Sequence, residues 1–146
     1  MFISTRVRYA IRALIEIGLS NNNGVLLKEI SKKQNLSLKY LDHIFTQLKT
    51  RGIVKKIKAK KGGYLLGRDT KDISVYDVIE AIEGIKRIEC LEDKKACSRS
   101  SFCGARVVWE NLDDRVNEIF KKLTLKDFID AQKRINEQNK PNMFSI

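Results

Sequence analysis

The feature that most constrains the fold is the run from residue 26 to residue 66, in which two short helices lead directly into a lysine-rich hairpin. The apolar spacing predicts a first helix at about residues 26–33 and a second at about 38–50, for which Ser37 is a good N-cap. The predicted buried stripe of the second helix is Leu38, Leu41, Ile44, Phe45 and Leu48. Its predicted outer face is Lys39, Tyr40, Asp42, His43, Gln47 and Lys49. Two such helices, the second polar and basic on its outer face, are typical of a helix-turn-helix.

The segment after the second helix predicts a β-hairpin. Apolar residues alternate with lysines from Ile53 onward, the chain turns at Gly62-Gly63, and apolar residues resume at Tyr64. Five lysines fall within residues 55–61. A basic hairpin in this place is typical of a wing, whose tip reaches phosphates or the minor groove beside the groove that the helix occupies. The alternative is an edge hairpin that its lysines protect from pairing with other chains.

The positive charge of the chain is confined to its N-terminal half. Residues 1–70 carry fifteen Lys or Arg against four Asp or Glu, whereas residues 71–146 carry fourteen of each sign, so the whole net charge of +11 lies in the first half. This asymmetry indicates a polyanionic partner, because each phosphate that a protein neutralises releases counterions. The alternative is a solubilising surface, but such surfaces usually mix both signs of charge.

The remaining apolar pattern predicts helices on both sides of this unit. One helix is predicted at residues 4–20, another within 72–84, a long one at about 105–123, and a last one capped by Thr124. The apolar face of the long helix is Val108, Trp109, Leu112, Val116, Ile119, Phe120 and Leu123. A winged-helix module does not need so large a face for its own core, which predicts a two-fold homodimer; packing within one subunit is the alternative. The predicted fold is mainly α with a small β-hairpin: a winged helix-turn-helix plus a long dimerisation helix.

All three cysteines of the chain, Cys90, Cys97 and Cys103, lie in one polar stretch. A structural disulfide is disfavoured, because cytosolic thiols stay reduced and an odd number leaves one cysteine over. Zinc sites usually show paired Cys-x2-Cys or Cys/His spacings, whereas six and then five residues separate these cysteines. An iron–sulfur cluster takes thiolates from loops with looser spacings. The residues alone leave a cluster, zinc and redox-active thiols open.

Other classes of protein find little support in the sequence. No run approaches the roughly 18 apolar residues of a membrane helix, and the arginines among residues 1–14 do not fit a signal peptide. We therefore expect a cytoplasmic protein with no membrane partner. The sequence contains no Ser/His/Asp set, HExxH motif or phosphate-binding glycine loop, so we do not expect an enzyme.

Taken in order, a series of segments resembles the bacterial winged-helix iron–sulfur transcription regulators of the IscR/NsrR type. The matching segments are residues 4–14, 36–54 and 62–84, the three cysteines, Trp109 and residues 123–128. The resemblance implies a homodimer crossed through the long helix, with a cluster near the dimer interface that modulates promoter binding. It also implies that Cys90, Cys97 and Cys103 hold the cluster, of the 2Fe-2S or the 4Fe-4S type. Some relatives work without a cluster.

The resemblance also implies which residues meet double-stranded DNA. On the recognition helix they are Ser37, Lys39, Tyr40, Asp42 and His43. On the wing they are Lys58, Lys60, Lys61, Gly62, Gly63 and Tyr64. Relatives often have Arg-Gly-Pro-Gly where this chain has Lys-Ala-Lys-Lys at 58–61, so it lacks the arginine that enters a narrow minor groove. We expect a wing that depends on phosphate contacts and is sensitive to salt.

The fourth ligand of a cluster is not evident from the resemblance. A relative with a two-iron cluster uses a histidine at the position of Arg106, and one with a four-iron cluster uses an aspartate at the position of Arg8. Neither arginine can ligate iron, and the single histidine, His43, is expected to face DNA. Water, a small thiol or a carboxylate of the other subunit could complete the site. The carboxylates of this loop are Glu89, Glu92 and Asp93.

These observations together predict four regions: a DNA-binding domain at residues 1–85, a cluster-binding loop at 86–104, dimerisation helices at 105–138 and a flexible tail at 139–146. The predicted function is a DNA-binding transcriptional repressor whose cluster responds to iron–sulfur status, nitric oxide or redox stress. One alternative is a thiol- or zinc-based redox regulator without a cluster. The other is an iron–sulfur electron-transfer protein, against which the basic N-terminal half argues.

Overall fold

A computed structural model describes residues 3–21, 23–58 and 62–140. The helices and strands of the described chain are α1 (Thr5–Leu19), α2 (Leu27–Gln34), α3 (Leu38–Thr50), β1 (Val54–Lys56), β2 (Tyr64–Leu66), α4 (Val75–Glu83), α5 (Glu89–Glu92), α6 (Gly104–Lys122) and α7 (Leu125–Gln138). Short 3-10 turns occur at Thr70–Asp72 and Lys94–Ala96. The mainly α-helical fold with one hairpin is confirmed. Apart from its first two residues, the predicted tail at 139–146 lies outside the described residues.

Side-chain caps fix where the helices begin. The Ser4 hydroxyl oxygen accepts a hydrogen bond from the Val7 amide, and that of Ser37 accepts one from the Tyr40 amide. Ser74 and Asp77 cap the start of α4 reciprocally, since each side chain accepts from the backbone amide of the other. Such caps satisfy amides that have no partner within the helix, so these polar residues set where α1, α3 and α4 begin.

The hairpin is anchored to the chain just before α2. Strands β1 and β2 are antiparallel, with Val54 opposite Leu66 and Lys56 opposite Tyr64. Val25 and Tyr64 exchange two backbone hydrogen bonds, of 3.0 and 2.8 Å, which form an isolated antiparallel bridge beside β2. The base of the hairpin is therefore held against the helical unit rather than projecting freely.

The core lies between α1, α3, α4 and the hairpin. Leu41, Ile44, Phe45 and Leu48 of α3 are fully buried, as the apolar spacing predicts. Leu38 was expected in the same stripe but is 50% exposed, because the first turn of α3 lies at the edge of the core. No helix among the described residues is long and apolar enough to cross a membrane.

Gly67→Ala is expected to lower the free energy of unfolding by about 1–3 kcal/mol, the usual cost of overpacking. A Cβ atom at Gly67 would overlap the backbone carbonyl oxygen of Gly52, in the turn between α3 and β1. Gly104→Ala is the matched control, because a Cβ there meets no heavy atom within 4 Å. Urea unfolding followed by circular dichroism measures both variants. Equal midpoints for Gly67→Ala and the wild type would contradict the close approach of these two turns.

Candidate functional site

The outer face of α3 presents a polar surface at the start of the helix. Lys39, Asp42 and His43 are exposed there, whereas Tyr40 is half-buried. The Tyr40 ring meets the edge of the Tyr9 ring at a centroid distance of 5.9 Å. The Arg12 guanidinium in turn lies 5.2 Å from the centre of the Tyr9 ring. This stack holds Tyr40 against α1, so three side chains of mixed charge remain available to a ligand on this face.

Ser37 contributes in a different way from the other predicted residues of α3. Its hydroxyl oxygen is occupied by the Tyr40 amide at 3.3 Å, so it caps the helix while its own hydroxyl proton is available for donation. The amides of a helix N-terminus attract anions such as phosphate groups. The beginning of α3 therefore combines an exposed cation, Lys39, with a favourable helix terminus.

The described part of the wing is basic, and its base belongs to the core. Lys58 is exposed, whereas Lys60 and Lys61 fall outside the described residues. Gly62 and Gly63 have φ angles of +62° and +106°, which L side chains rarely adopt. Their conformation supplies the sharp return of the chain into β2.

Tyr64 packs inward rather than toward the solvent. Its side chain is 7% exposed, and its ring meets the Phe45 ring at a centroid distance of 4.9 Å. Burial raises the pKa of the Tyr64 hydroxyl, and the negative charge of Asp42 raises it further. The predicted contact of this side chain with DNA stays a prediction, and its observed partners are those of a core residue.

The structure adds basic residues that the predicted DNA-contacting set did not include. An open groove of about 810 Å³ lies between the end of α3 and the hairpin. The predicted Lys58 lines it, and so do three lysines outside the predicted set: Lys49, Lys55 and Lys56. The charge run of the sequence could have indicated Lys55 and Lys56, but the position of Lys49 beside them depends on how α3 meets β1.

The cysteine loop distributes its three thiols over three short elements. Cys90 lies in α5, Cys97 follows the 3-10 turn at Lys94–Ala96, and Cys103 directly precedes α6. All three are half-buried and none forms a disulfide. Among the described residues, no three His, Cys, Asp or Glu side chains are placed to hold one metal ion. The loop thus carries three thiol sulfurs close in sequence, but in this conformation they are not placed to bind one metal ion together.

Several residues at or near the expected fourth-ligand positions have other partners in the structure. Arg8 is exposed on α1 and donates to the Thr5 hydroxyl at 2.9 Å. The Glu92 carboxylate accepts from the Arg87 amide at 3.0 Å, and the Asp93 carboxylate accepts from the Lys95 amide at 2.9 Å. Glu89 is exposed at the start of α5. Of the three loop carboxylates, two therefore stabilise local turns.

A partly buried ion pair that the sequence did not indicate connects the segment before the loop to α6. Arg87 lies 2.7 Å from Asp113, whose side chain is 13% exposed, and 3.9 Å from Asp114. The hydrogen bond to Asp113 raises the pKa of Arg87 above its ordinary value, with the nearby carboxylates adding to the effect. The pair spans 26 positions in sequence, which is why no local pattern could have shown it.

Helix α6 leaves most of its apolar face exposed, although Phe120 is partly buried against the core. None of its 19 residues is buried. The most exposed of its large apolar side chains are Val107, Val108, Leu112 and Ile119, each at least 50% exposed, and Trp109 is 44% exposed. Large exposed apolar surfaces are typical of interaction sites.

Comparison with known proteins gives a consistent set of relatives. The family model Rrf2, described as an iron-dependent transcriptional regulator, matches residues 3–131. The HTH-type transcriptional regulator IscR of Escherichia coli is 33% identical over 134 residues, which cover 90% of this chain and 82% of that protein. The solved structure of T. potens IscR superposes with a TM-score of 0.72 at 27% identity and covers 99% of this chain and 95% of that one. CymR, the global cysteine regulator of B. subtilis, superposes with a TM-score of 0.71 at 30% identity, covering 90% and 98%.

Proposed function

The chain belongs to the Rrf2 family of transcriptional regulators, and from that premise we propose that it binds double-stranded DNA as a homodimer under the control of an iron–sulfur cluster on its three cysteines. Its relatives are transcriptional regulators rather than enzymes. The observation that carries the proposal is the position of Cys90, Cys97 and Cys103: three free, half-buried thiols in the segment that joins the winged helix-turn-helix to α6. We assign the DNA-binding domain to residues 1–85, the cluster loop to 86–104 and the dimerisation helices to 105–138.

The proposed DNA surface consists of the start of α3 and the wing. Lys39 and Lys58 are exposed cations suited to phosphates, while Asp42 and His43 can reach base edges in the major groove. We also assign Gly62 and Gly63, whose positive φ angles shape the turn into β2, to this surface. We assign Tyr64 a supporting role beneath the wing, because its ring packs on Phe45. The excess of positive charge in residues 1–70 supports this surface.

The proposed dimer uses α6. Its exposed apolar stripe would be covered by the same stripe of a second copy, since a two-fold interface is self-complementary. A dimer also doubles the DNA contacts and places two recognition helices on successive half-sites. The uncovered face of α6 is the observation that supports this step.

The donor set of the loop fits an iron–sulfur cluster in its chemistry. Three cysteine thiolates would hold the cluster, which when bound supplies a centre that oxygen, nitric oxide or iron limitation can alter. The protein's own contribution is mechanical: gathering the three thiols requires the loop to tighten between α4 and α6. Such tightening would shift the DNA-binding domain relative to the dimer helix and so change the spacing of the two recognition helices.

The fourth ligand position is proposed to be weak or exchangeable. Arg106 and Arg8 cannot ligate iron, and Glu92 and Asp93 already accept backbone hydrogen bonds. Glu89, a carboxylate of the partner, water or a small thiol remains for this role. An exchangeable position suits a sensor, because small reactive molecules then have direct access to the metal.

Anaerobic purification followed by iron and sulfide assays tests the proposed cofactor. We expect a coloured protein that contains both elements and that binds DNA with different affinities before and after the cluster is removed. A colourless protein without metal after anaerobic reconstitution would remove the cluster from the proposal. DNA fragments selected from genomic DNA by the protein test the other half, and no enriched sequence would argue against operator binding.

A second candidate is a regulator that senses through its thiols without a cluster. Two observations favour it: the thiols are not gathered on one centre, and the solved relatives include CymR, one of them in an oxidised form from Staphylococcus aureus. Metal analysis of protein purified with and without air separates the two candidates. A metal-free protein whose DNA affinity changes on oxidation, and returns on reduction, would favour the thiol mechanism.

Lys58→Ala is expected to weaken DNA binding at all sequences and to flatten its salt dependence. Each phosphate contact contributes about 0.9 to the slope of log affinity against log salt, so loss of one contact in each half of a dimer lowers the slope by about 1.8. Lys133→Ala removes the same charge at an exposed position of α7 outside the proposed DNA surface and serves as the control. Fluorescence anisotropy at several salt concentrations measures both slopes. Identical slopes for the two variants would exclude a phosphate contact by Lys58.

A further inference from the structure

The guanidinium of Arg106 connects the two ends of the cysteine loop. Its Nε donates a hydrogen bond of 3.2 Å to the backbone carbonyl oxygen of Cys90, 16 positions earlier in the sequence. Arg106 stands in the first turn of α6, three residues after Cys103. Its side chain is only 15% exposed, and its Nη1 lies 4.0 Å from the Glu110 carboxylate on the next turn. Cys90, the first cysteine of the loop, is therefore attached to α6, the helix that follows Cys103.

This contact is one of two attachments of the beginning of the loop to α6. Leu91, next to Cys90, is 7% exposed, so α5 is partly packed. Arg87 forms the second attachment through Asp113, two turns further along α6 than Arg106. The Arg87 attachment holds the segment before α5, whereas the Arg106 attachment holds a cysteine directly. A charged donor that is largely shielded from water makes a stronger hydrogen bond than a neutral exposed one.

We propose that Arg106 is a positioning residue that holds Cys90 against the start of α6 and so sets the separation between Cys90 and Cys103. The proposal rests on the proposed regulatory role of the cysteine loop. Arg106 does not act as a ligand in this proposal, since a guanidinium cannot bind iron. Its loss leaves all three thiols in place, but α5 then samples open conformations more often, because the carbonyl of Cys90 no longer has its partner on α6.

Site-resolved alkylation of the reduced, metal-free protein tests this role without reference to a cluster. Arg106→Met keeps the length and the apolar stem of the side chain and removes the donor. We expect iodoacetamide to modify Cys90 about fivefold faster in this variant, while Cys97 keeps its wild-type rate. A fivefold change corresponds to about 1 kcal/mol of local opening, the usual net contribution of one hydrogen bond. Peptide mass spectrometry after timed quenching gives the rate at each cysteine.

Two further variants make the result specific. Arg106→Lys retains a charged donor and is expected to restore most of the protection of Cys90. Arg87→Met removes the other attachment and is expected to leave the Cys90 rate within about twofold of the wild type, within the scatter of changes away from the contact. Unchanged Cys90 alkylation in Arg106→Met would overturn the proposal. Equal acceleration at all three cysteines, or equal acceleration in Arg87→Met, would also overturn it, since either result means general loosening of the loop.

A second measurement separates this proposal from the proposed cofactor. In reconstituted protein, Arg106→Met is expected to lose the visible absorbance of the cluster several times faster than the wild type under air, with Arg106→Lys in between. A wild-type protein that takes up no cluster would contradict the proposed function, yet the alkylation rates would still decide the role of Arg106. Faster alkylation together with an unchanged rate of cluster loss would overturn the claim that this separation matters for the metal site.

Discussion

Cys97→Ser is expected to leave the protein with almost no iron after anaerobic reconstitution and to make its DNA affinity independent of that treatment. Cys97 is the middle one of three proposed thiolate ligands, and a serine hydroxyl does not ionise at neutral pH to replace it. The substitution is the least disruptive of the three, because Cys90 lies within α5 and Cys103 directly precedes α6. The fold is therefore expected to persist while the cofactor is lost.

Iron and sulfide content per chain, together with DNA affinity before and after reconstitution, measures this prediction. Ser98→Ala is the matched control, since it removes a hydroxyl from the exposed neighbouring position. We expect this control to retain the wild-type iron content. A Cys97→Ser protein that keeps the wild-type iron content would show that Cys97 is not a ligand. A variant that loses iron but whose DNA affinity still changes on reconstitution would show that the cluster does not control DNA binding.

The helical framework could be predicted because its determinants are local. Apolar residues at three- and four-residue steps predict α3 and α6, and polar residues mark where α3 and α4 begin. Ser37 and Ser74 cap their helices as their positions indicate. These features depend on residues within one or two turns of each other, so one sequence is sufficient to find them.

Features that depend on contacts between distant elements could not be predicted in the same way. Gln47 was expected on the outer face of α3, but its side chain accepts from Arg6 at 2.7 Å and donates to the Ile82 carbonyl at 3.1 Å. It therefore links α1, α3 and α4 inside the domain. Tyr64 is a second example. Its position beside the glycines of the wing predicted a DNA contact, whereas the alternation of side chains along β2 places its ring against Phe45.

The sequence predicts the three thiols of the cysteine loop but not the contacts that shape it. Its three thiols and their half-buried state agree with a metal-binding segment. The attachments that shape the loop, Arg87 to Asp113 and Arg106 to the Cys90 carbonyl, join positions 26 and 16 residues apart. Charged residues in a polar stretch have many possible partners, and only the packing of α5 on α6 selects among them.

Leu112→Glu is expected to convert the proposed dimer into a monomer and to lower the affinity for a palindromic operator by a factor on the order of 10² to 10⁴. Leu112 is 50% exposed at the middle of the apolar stripe of α6, so the isolated protomer can accept a carboxylate there. In a dimer, two such carboxylates would be buried close together without partners, at a high cost in free energy. The loss of affinity follows because the second half-site is then no longer bound at a high effective concentration.

Sedimentation equilibrium and binding to operators with one or two half-sites together measure this effect. Lys121→Glu places a carboxylate on the opposite, exposed side of α6, about 180° around the helix from Leu112, and is expected to stay dimeric. We expect the Leu112→Glu protein to bind a single half-site as well as the wild type does, because α3 and the wing are unchanged. A Leu112→Glu protein that remains a dimer would place the interface elsewhere on the molecule. A monomer with undiminished operator affinity would show that each protomer recognises its DNA alone, and that the exposed face of α6 has another partner.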